Sequence, residues 1–174
     1  MNKNNMETII TDSINSKSTF RVYFNYEENY YYYFPLQQNK EFFLGAEEID
    51  FQINGFSIRR KQDIKSISDR DDLVNQILKN EHIFNEQLSP EIDISSWEKI
   101  FGSLKQRDKN IIIENEYSDF FWIGKIVSFT SESVNLLEFD ADGIWEESPT
   151  SILYADITSV SFETRYIKYF SKYV

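Results

Sequence analysis

The segment EFDADGIWEE places Glu138, Asp140, Asp142, Glu146 and Glu147 within a single short stretch. Carboxylates at this density are the oxygen ligands that hard cations take, and Asp140-Ala141-Asp142-Gly143 begins as a calcium-binding loop does. The pattern then stops, because glycine follows the second aspartate directly and no helix is predicted on either side. The segment reads instead as a hairpin turn with a solvated acidic rim. Such a rim docks the lysines and arginines of a protein partner, and Trp145 beside it offers an aromatic anchor. Asp140, Asp142, Trp145, Glu146 and Glu147 are therefore the candidate partner-binding residues.

The opposite charge gathers at Arg59-Arg60-Lys61 with Lys65. On a small β unit these four residues are the alternative, nucleic-acid-binding site, able to hold a phosphate or an RNA end; they can equally pair with carboxylates. His82 is the only histidine. A histidine can act as a general base, but no serine or carboxylate stands at a spacing that would enlist it, and it reads as a helix-end or surface residue. Neither a phosphate loop nor a paired-histidine metal motif occurs. The lack of cysteine removes disulfides, thiolate nucleophiles and cysteine-based zinc sites. The sequence thus predicts no catalytic residue, no metal site and no cofactor.

Charge sets the partner class. With 29 acidic and 18 basic residues the 174-residue chain carries a formal charge of −11. That charge repels a phosphate backbone and favours a basic protein. DNA is excluded as a partner, RNA is disfavoured, and a homo-oligomer stays open. No apolar run approaches the length of a membrane span, and the polar start MNKNNMETIITDS lacks a signal-type apolar stretch, so the expectation is a cytoplasmic protein.

These residues need elements to position them. STFRVYFNY and the tyrosine run ENYYYYFPLQ have the aromatic and β-branched character of strands. EFFLGAEEIDFQINGFSIRRKQDIKSI continues as strand, turn, strand and a last short strand, with the turn expected at Asn54-Gly55 because both residues tolerate positive φ. DRDDLVNQILKNEHIF changes to helical spacing, with Asp69 as the expected cap and Leu73, Ile77 and Leu78 on one face. SSWEKIFGSL has capping-box spacing and repeats Trp97, Ile100, Phe101 and Leu104 at helical intervals. The strands NIIIENEY, DFFWIGKIVSF, SVNLLEFDADGIW and SILYADITSVSF follow, and Tyr166, Ile167, Phe170 and Tyr173 form the apolar face of a terminal helix.

The two halves repeat one order. Ile58, Asp63-Ile64 and Ile67 correspond to Ile152, Asp156-Ile157 and Val160, which points to a duplicated small β-rich unit. Tyr30 to Phe34 then lies opposite Phe120 to Ile123. Both are expected to be central strands packed on both faces, with tyrosine rings buried and hydroxyls at polar edges. The alternative, a base-stacking platform, calls for a basic groove, whereas Glu27, Glu28 and Glu41 flank the run.

The stretch WIGKIVSFTSESVNLLEF, from Trp122, resembles the first sequence motif of Sm-like proteins, in which a glycine opens a bent strand and a phenylalanine-aspartate pair and an asparagine follow. Gly124 and Phe129 occupy those places, Thr130 stands for the aspartate, and Asn135 comes one position later. The second motif, with its arginine-glycine turn, has no counterpart in SILYADITSVSF. The resemblance, mainly over residues 121–162, therefore implies the small bent barrel rather than the RNA contacts that Sm-like proteins make through those positions. FDADGIWEESPTSILYADITSVSFETRYIKYFSKY is also similar to the ends of a loose group of uncharacterised bacterial proteins, which implies no activity.

The fold expected is mainly β with helices (β+α), built as two tandem small bent β-barrel units of Sm/SH3-like type packed together. Residues 1–17 are a flexible or weakly ordered N-terminus, 18–86 the first unit with its helix, 87–109 a linker with an amphipathic helix, and 110–174 the second unit with a C-terminal helix. The function expected is a non-catalytic interaction module for a basic protein partner, of which an immunity protein that neutralises a toxin is one concrete version. The alternative is an Sm-like RNA-binding regulator.

Overall fold

The computed structural model describes residues 3–85 and 89–174. Among them the protein is mainly β, with ten strands and four α-helices, and the chain divides into two compact units, Met1–Pro90 and Glu91–Val174.

The first unit runs α1 (Lys3–Ser16), β1 (Phe20–Phe24), β2 (Tyr30–Gln38), β3 (Phe42–Ile49), β4 (Gln52–Arg60), a 3₁₀ turn at Lys61–Asp63, β5 (Ile64–Asp69) and α2 (Leu73–Asn80). Of the stretch expected to be a flexible N-terminus, Lys3–Ser16 is helical. The reason is spacing: Met6, Ile9, Ile10 and Ser13 fall three and four residues apart, so one face is buried, and the helix lies against β1, β2 and β5. The resulting core joins Met6, Ile9 and Ile10 to Phe20, Val22, Phe24, Tyr33, Phe43, Ile64 and Ile67.

Within this unit the antiparallel strands follow the order β5-β1-β2-β3-β4. Consecutive strands β4 and β5 therefore stand at opposite ends of the order, joined by only the three residues of the 3₁₀ turn. In a flat sheet those ends would be about 19 Å apart, four strand spacings. The link from Arg60 to Ile64 reaches about 14 Å even when fully extended. The sheet must curl to bring its ends together, which the register shifts at Pro35/Gln37 and Ala46/Glu48 assist.

The second unit runs α3 (Trp97–Gln106), β6 (Ile111–Asn115), β7 (Phe120–Phe129), β8 (Ser133–Glu138), β9 (Thr150–Leu153), a 3₁₀ turn at Tyr154–Asp156, β10 (Ser159–Phe162) and α4 (Arg165–Phe170). Its order, β10-β6-β7-β8-β9, is the same plan. The agreement extends to register. Phe20 opens β1 and pairs with Tyr33, which pairs with Glu47; Ile111 opens β6 and pairs with Gly124, which pairs with Glu138. In each second strand the shift comes at the same distance beyond the matched residue, after Pro35 and after Ile126. A left-handed residue, Lys17 (φ 52°) or Asp108 (φ 47°), ends the region of α1 and of α3 just before the first strand. Asp63-Ile64 and Asp156-Ile157 both close the 3₁₀ turn and lead into the fifth strand, as their sequence correspondence anticipated.

Two local expectations change. The β3–β4 hairpin turns at Asp50 and Phe51, whose φ values of 49° and 62° suit a tight two-residue loop, and not at Asn54-Gly55. Gly55, at φ 82°, spends its positive φ inside β4, where β4 has one residue more than the facing stretch of β3. The cap of α2 is Asp72, which accepts from the Asn75 N–H, while Asp69 ends β5. Within the tyrosine run burial rises along the strand: Tyr30 is exposed, Tyr31 and Tyr32 are half-buried, and Tyr33 and Phe34 are buried. Packing on both faces thus holds at the end of the run and fails at its start.

Candidate functional site

In the second unit β7 and β8 set the floor of the site. A Cβ on Gly124 would stand 1.9 Å from the Leu137 carbonyl oxygen, so only glycine lets the two strands approach this closely. Beyond the end of β8 the chain keeps pairing, with the Phe139 N–H donating to the Ile123 carbonyl at 3.2 Å. It then turns at Asp140, whose Oδ1 accepts from the N–H groups of Asp142 and Ile144, both at 2.9 Å. The chain folds back so that the Glu146 N–H donates to the Glu138 carbonyl at 2.9 Å. Two carboxylates eight positions apart in sequence become neighbours.

Helix α4 supplies the wall. Thr164 caps it by accepting from the Ile167 N–H, and Ile167 is buried with Ile112, Ile123 and Phe139. Asn110 ties the segment after the helix, its Nδ2 donating to Ser171 Oγ at 2.8 Å. Tyr166 and Phe170, one helical turn apart, stack with ring centres 4.6 Å apart, and Phe121 meets Tyr166 edge-on at 5.9 Å. Together these groups border an open cleft of about 250 Å³, lined by the aromatic rings of Phe121, Tyr166 and Phe170 and by Glu138, Asp140 and Glu146, with no lysine or arginine in its wall.

Of the residues singled out in the sequence, Asp140 and Glu146 therefore line the cavity. Asp142 and Glu147 are exposed outside it. Trp145 is half-buried, its ring 5.0 Å from that of Phe139, and supports the floor from beside the site. Sequence reading did not assign Phe121, Tyr166 and Phe170 to a site. The signal was the four-residue spacing of Tyr166 and Phe170, which equally describes a face packed on a core.

The first unit has a cavity at the matching place, about 430 Å³, lined by Tyr30 and Tyr32 of β2, by Glu47, Glu48, Asp50 and Phe51 of the β3–β4 hairpin, and by Arg70. Arg70 is buried there. Its Nη1 donates to Glu48 at 2.8 Å, its Nε to Asp72 at 3.0 Å, and its guanidinium carbon lies 3.6 Å from the centre of the Tyr32 ring. Burial pushes the Asp72 pKa up, but the hydrogen bonds from the Asn75 N–H and from Arg70 outweigh it and hold the carboxyl below its ordinary value.

The basic cluster is largely occupied within its own unit. Arg59 is buried, donates to the hydroxyls of Tyr33 at 3.1 Å and Tyr26 at 3.3 Å, and lies over the rings of Phe24 and Tyr31. Burial drives the Tyr33 hydroxyl far above its usual pKa, so it stays a neutral acceptor for that arginine. Arg60 pairs with Asp63 at 2.6 Å, and Lys61 is buried with its Nζ donating to Gln38 Oε1 and to the Asn39 carbonyl. Lys65 is exposed. His82 is also exposed, just past the end of α2 with φ 50°.

Among the described residues no group of histidine and carboxylate side chains is arranged to hold a metal ion, and no helix is long and apolar enough to cross a membrane. Compared with known protein families, with curated proteins and with solved structures, the chain matches none.

Proposed function

We propose that this protein is a non-catalytic interaction module that binds a basic protein partner through the acidic and aromatic face of its second unit, in the cytoplasm. A toxin-neutralising immunity protein is a concrete form of this role. The observation that carries the reading is the cavity where Glu138, Asp140 and Glu146 meet the rings of Phe121, Tyr166 and Phe170. Aromatic anchors dominate binding energy at protein interfaces, and carboxylates beside them favour a basic partner. The formal charge of −11 adds long-range attraction for a basic partner.

The same proposal reads the two units as tandem small bent barrels of Sm/SH3-like type, arisen by duplication. It is supported by the shared strand order, the matched registers and the forced curl of each sheet. The RNA alternative has less support, because Arg59, Arg60 and Lys61 are engaged inside the first unit. Where the Sm-like motif has aspartate, Thr130 serves the β7–β8 turn, its Oγ1 accepting from the N–H groups of Glu132 and Ser133 at 3.1 Å.

The test is affinity capture from the native cytoplasm at low and moderate salt, comparing the wild-type chain with Glu138→Gln/Asp140→Asn/Glu146→Gln. A basic protein retained by the wild type, released by salt and lost with the variant is the expected result. Enrichment of RNA, or capture indifferent to the three substitutions, overturns the reading.

A further inference from the structure

The cleft of the first unit is built on two buried ions. Glu48 and Arg70 are 6% and 8% exposed, and the glutamate joins two parts of the wall, its Oε1 accepting from the Phe51 N–H and its Oε2 from Arg70 Nη1, both at 2.8 Å. The guanidinium is thereby held over the Tyr32 ring, with its Nε donating to Asp72. These bonds leave Arg70 Nη2 unused. Among the described residues none accepts from it, although the side chain lines the cleft. A donor without a protein partner on a side chain buried to this degree is a place for a ligand oxygen.

The same wall carries free acceptors. Glu47 accepts from Asn54 Nδ2 on its Oε2 at 3.0 Å, while its Oε1 and the Asp50 carboxylate have no donor among the described residues. The exposed rings of Tyr30 and Phe51 complete the lining. Phe51 is the less expected of the two. It holds the second position of a two-residue hairpin loop at φ 62°, which suits glycine or asparagine and strains the backbone of a bulky residue. The sequence keeps a ring at the cleft where the turn alone would favour a small residue.

We propose that this cleft binds an aromatic residue of a polypeptide in an uncharged stretch. The ring packs against Tyr30 and Phe51, the main-chain carbonyl accepts from Arg70 Nη2, and the main-chain N–H donates to Glu47 or Asp50. Charge balance selects the neutral ligand. Glu47, Glu48 and Asp50 outnumber Arg70 in the wall, so a carboxylate or phosphate is repelled, whereas a cation would have to approach the guanidinium. A peptide amide supplies both an acceptor and a donor without charge, and an aromatic side chain covers the exposed rings at a low cost in conformational entropy. The volume of about 430 Å³ lies within the range of ligand pockets. This site is separate from the acidic face of the second unit and does not depend on it.

The test is titration of the ¹⁵N-labelled full chain with N-acetyl-tryptophanamide, N-acetyl-tryptophan carboxylate and uridine. The expected result is a saturable shift of the Arg70 Nε–H and of the backbone amides of Tyr32, Asp50 and Arg70 with the amide, and an affinity about fivefold lower for the carboxylate. Uridine should bind no better than the carboxylate. Phe51→Asn, which suits the turn, should weaken the amide about fivefold while the remaining resonances stay in place. No saturable change with the amide overturns the site. Equal or tighter binding of the carboxylate overturns the neutral ligand, tighter binding of uridine gives the cleft to a nucleobase and overturns the polypeptide, and an unchanged affinity in Phe51→Asn overturns the ring contact. The reading of the second unit fails separately, when the captured partner ignores the carboxylate substitutions there.

Discussion

Gly124 lies so close to Leu137 that an added Cβ would stand 1.9 Å from the Leu137 carbonyl oxygen and 2.8 Å from the Glu138 Cα. The clash is with backbone, which cannot turn aside as a side chain can. Gly102, in α3, differs: its nearest neighbour to an added Cβ is the tip of the Phe129 ring at 3.5 Å.

Gly124→Ala is therefore expected to destabilise the protein by about 3 kcal/mol, since β7 and β8 must separate at the floor of the site. Gly102→Ala should stabilise it by about 0.5–1 kcal/mol through helix propensity. Urea denaturation of both variants checks the pair, and equal effects would contradict the close approach.

Arg70→Ala leaves Glu48 buried without its charge partner, at a cost of about 3–5 kcal/mol. Arg70→Lys keeps the charge and loses both the fork and the guanidinium's place over the Tyr32 ring, so it should recover only part of that loss. Full recovery by lysine, measured by the same denaturation, would show that stacking contributes little at this position.

Within the basic cluster the effects should divide by burial. Arg59→Leu removes donors from the Tyr33 and Tyr26 hydroxyls and should cost about 1–3 kcal/mol. Lys65→Ala, at an exposed position, should stay within about 0.5 kcal/mol of wild type. Thermal unfolding distinguishes the two, and a neutral Arg59→Leu would return that residue to the set available for ligands.

Glu163 gives a pH signature. Burial raises its pKa, yet the hydrogen bonds from Lys109 and Arg107 prevail and hold it below the ordinary value of 4.5. A carboxyl depressed in the folded state contributes stability that is present above 4.5 and lost as pH falls through the lower folded value. The advantage of wild type over Glu163→Gln should therefore be largest near neutral pH and shrink in acid. A pH-independent difference between the two, in denaturant midpoints measured across that range, would remove Glu163 from the account.

The strands were legible because their aromatic and β-branched runs are long and turn residues separate them; every strand stretch read in the second half contains a strand, although SILYADITSVSF divides into β9 and β10 around the 3₁₀ turn and SVNLLEFDADGIW is strand only over Ser133–Glu138. Helix α1 was not, since Met6, Ile9 and Ile10 are sparse apolar positions in a polar segment and gain their meaning only against β1, β2 and β5. Asn54-Gly55 misled because positive φ serves a strand irregularity as well as a turn. For the site, the acidic segment was visible, but its aromatic wall comes from β7 and α4, which only tertiary folding brings beside it.

In both units the first strand is completed by the fifth, β1 by β5 and β6 by β10. The pairing that completes each unit's strand order is thus the most distant along the chain, and such contacts form late because a long loop must first be ordered. During synthesis β1 leaves the ribosome with one flank open and remains so while β2, β3 and β4 are made. Each unit passes through a stage in which an unpaired strand can recruit the wrong neighbour, and this hazard ends only when the residues after the 3₁₀ turn arrive.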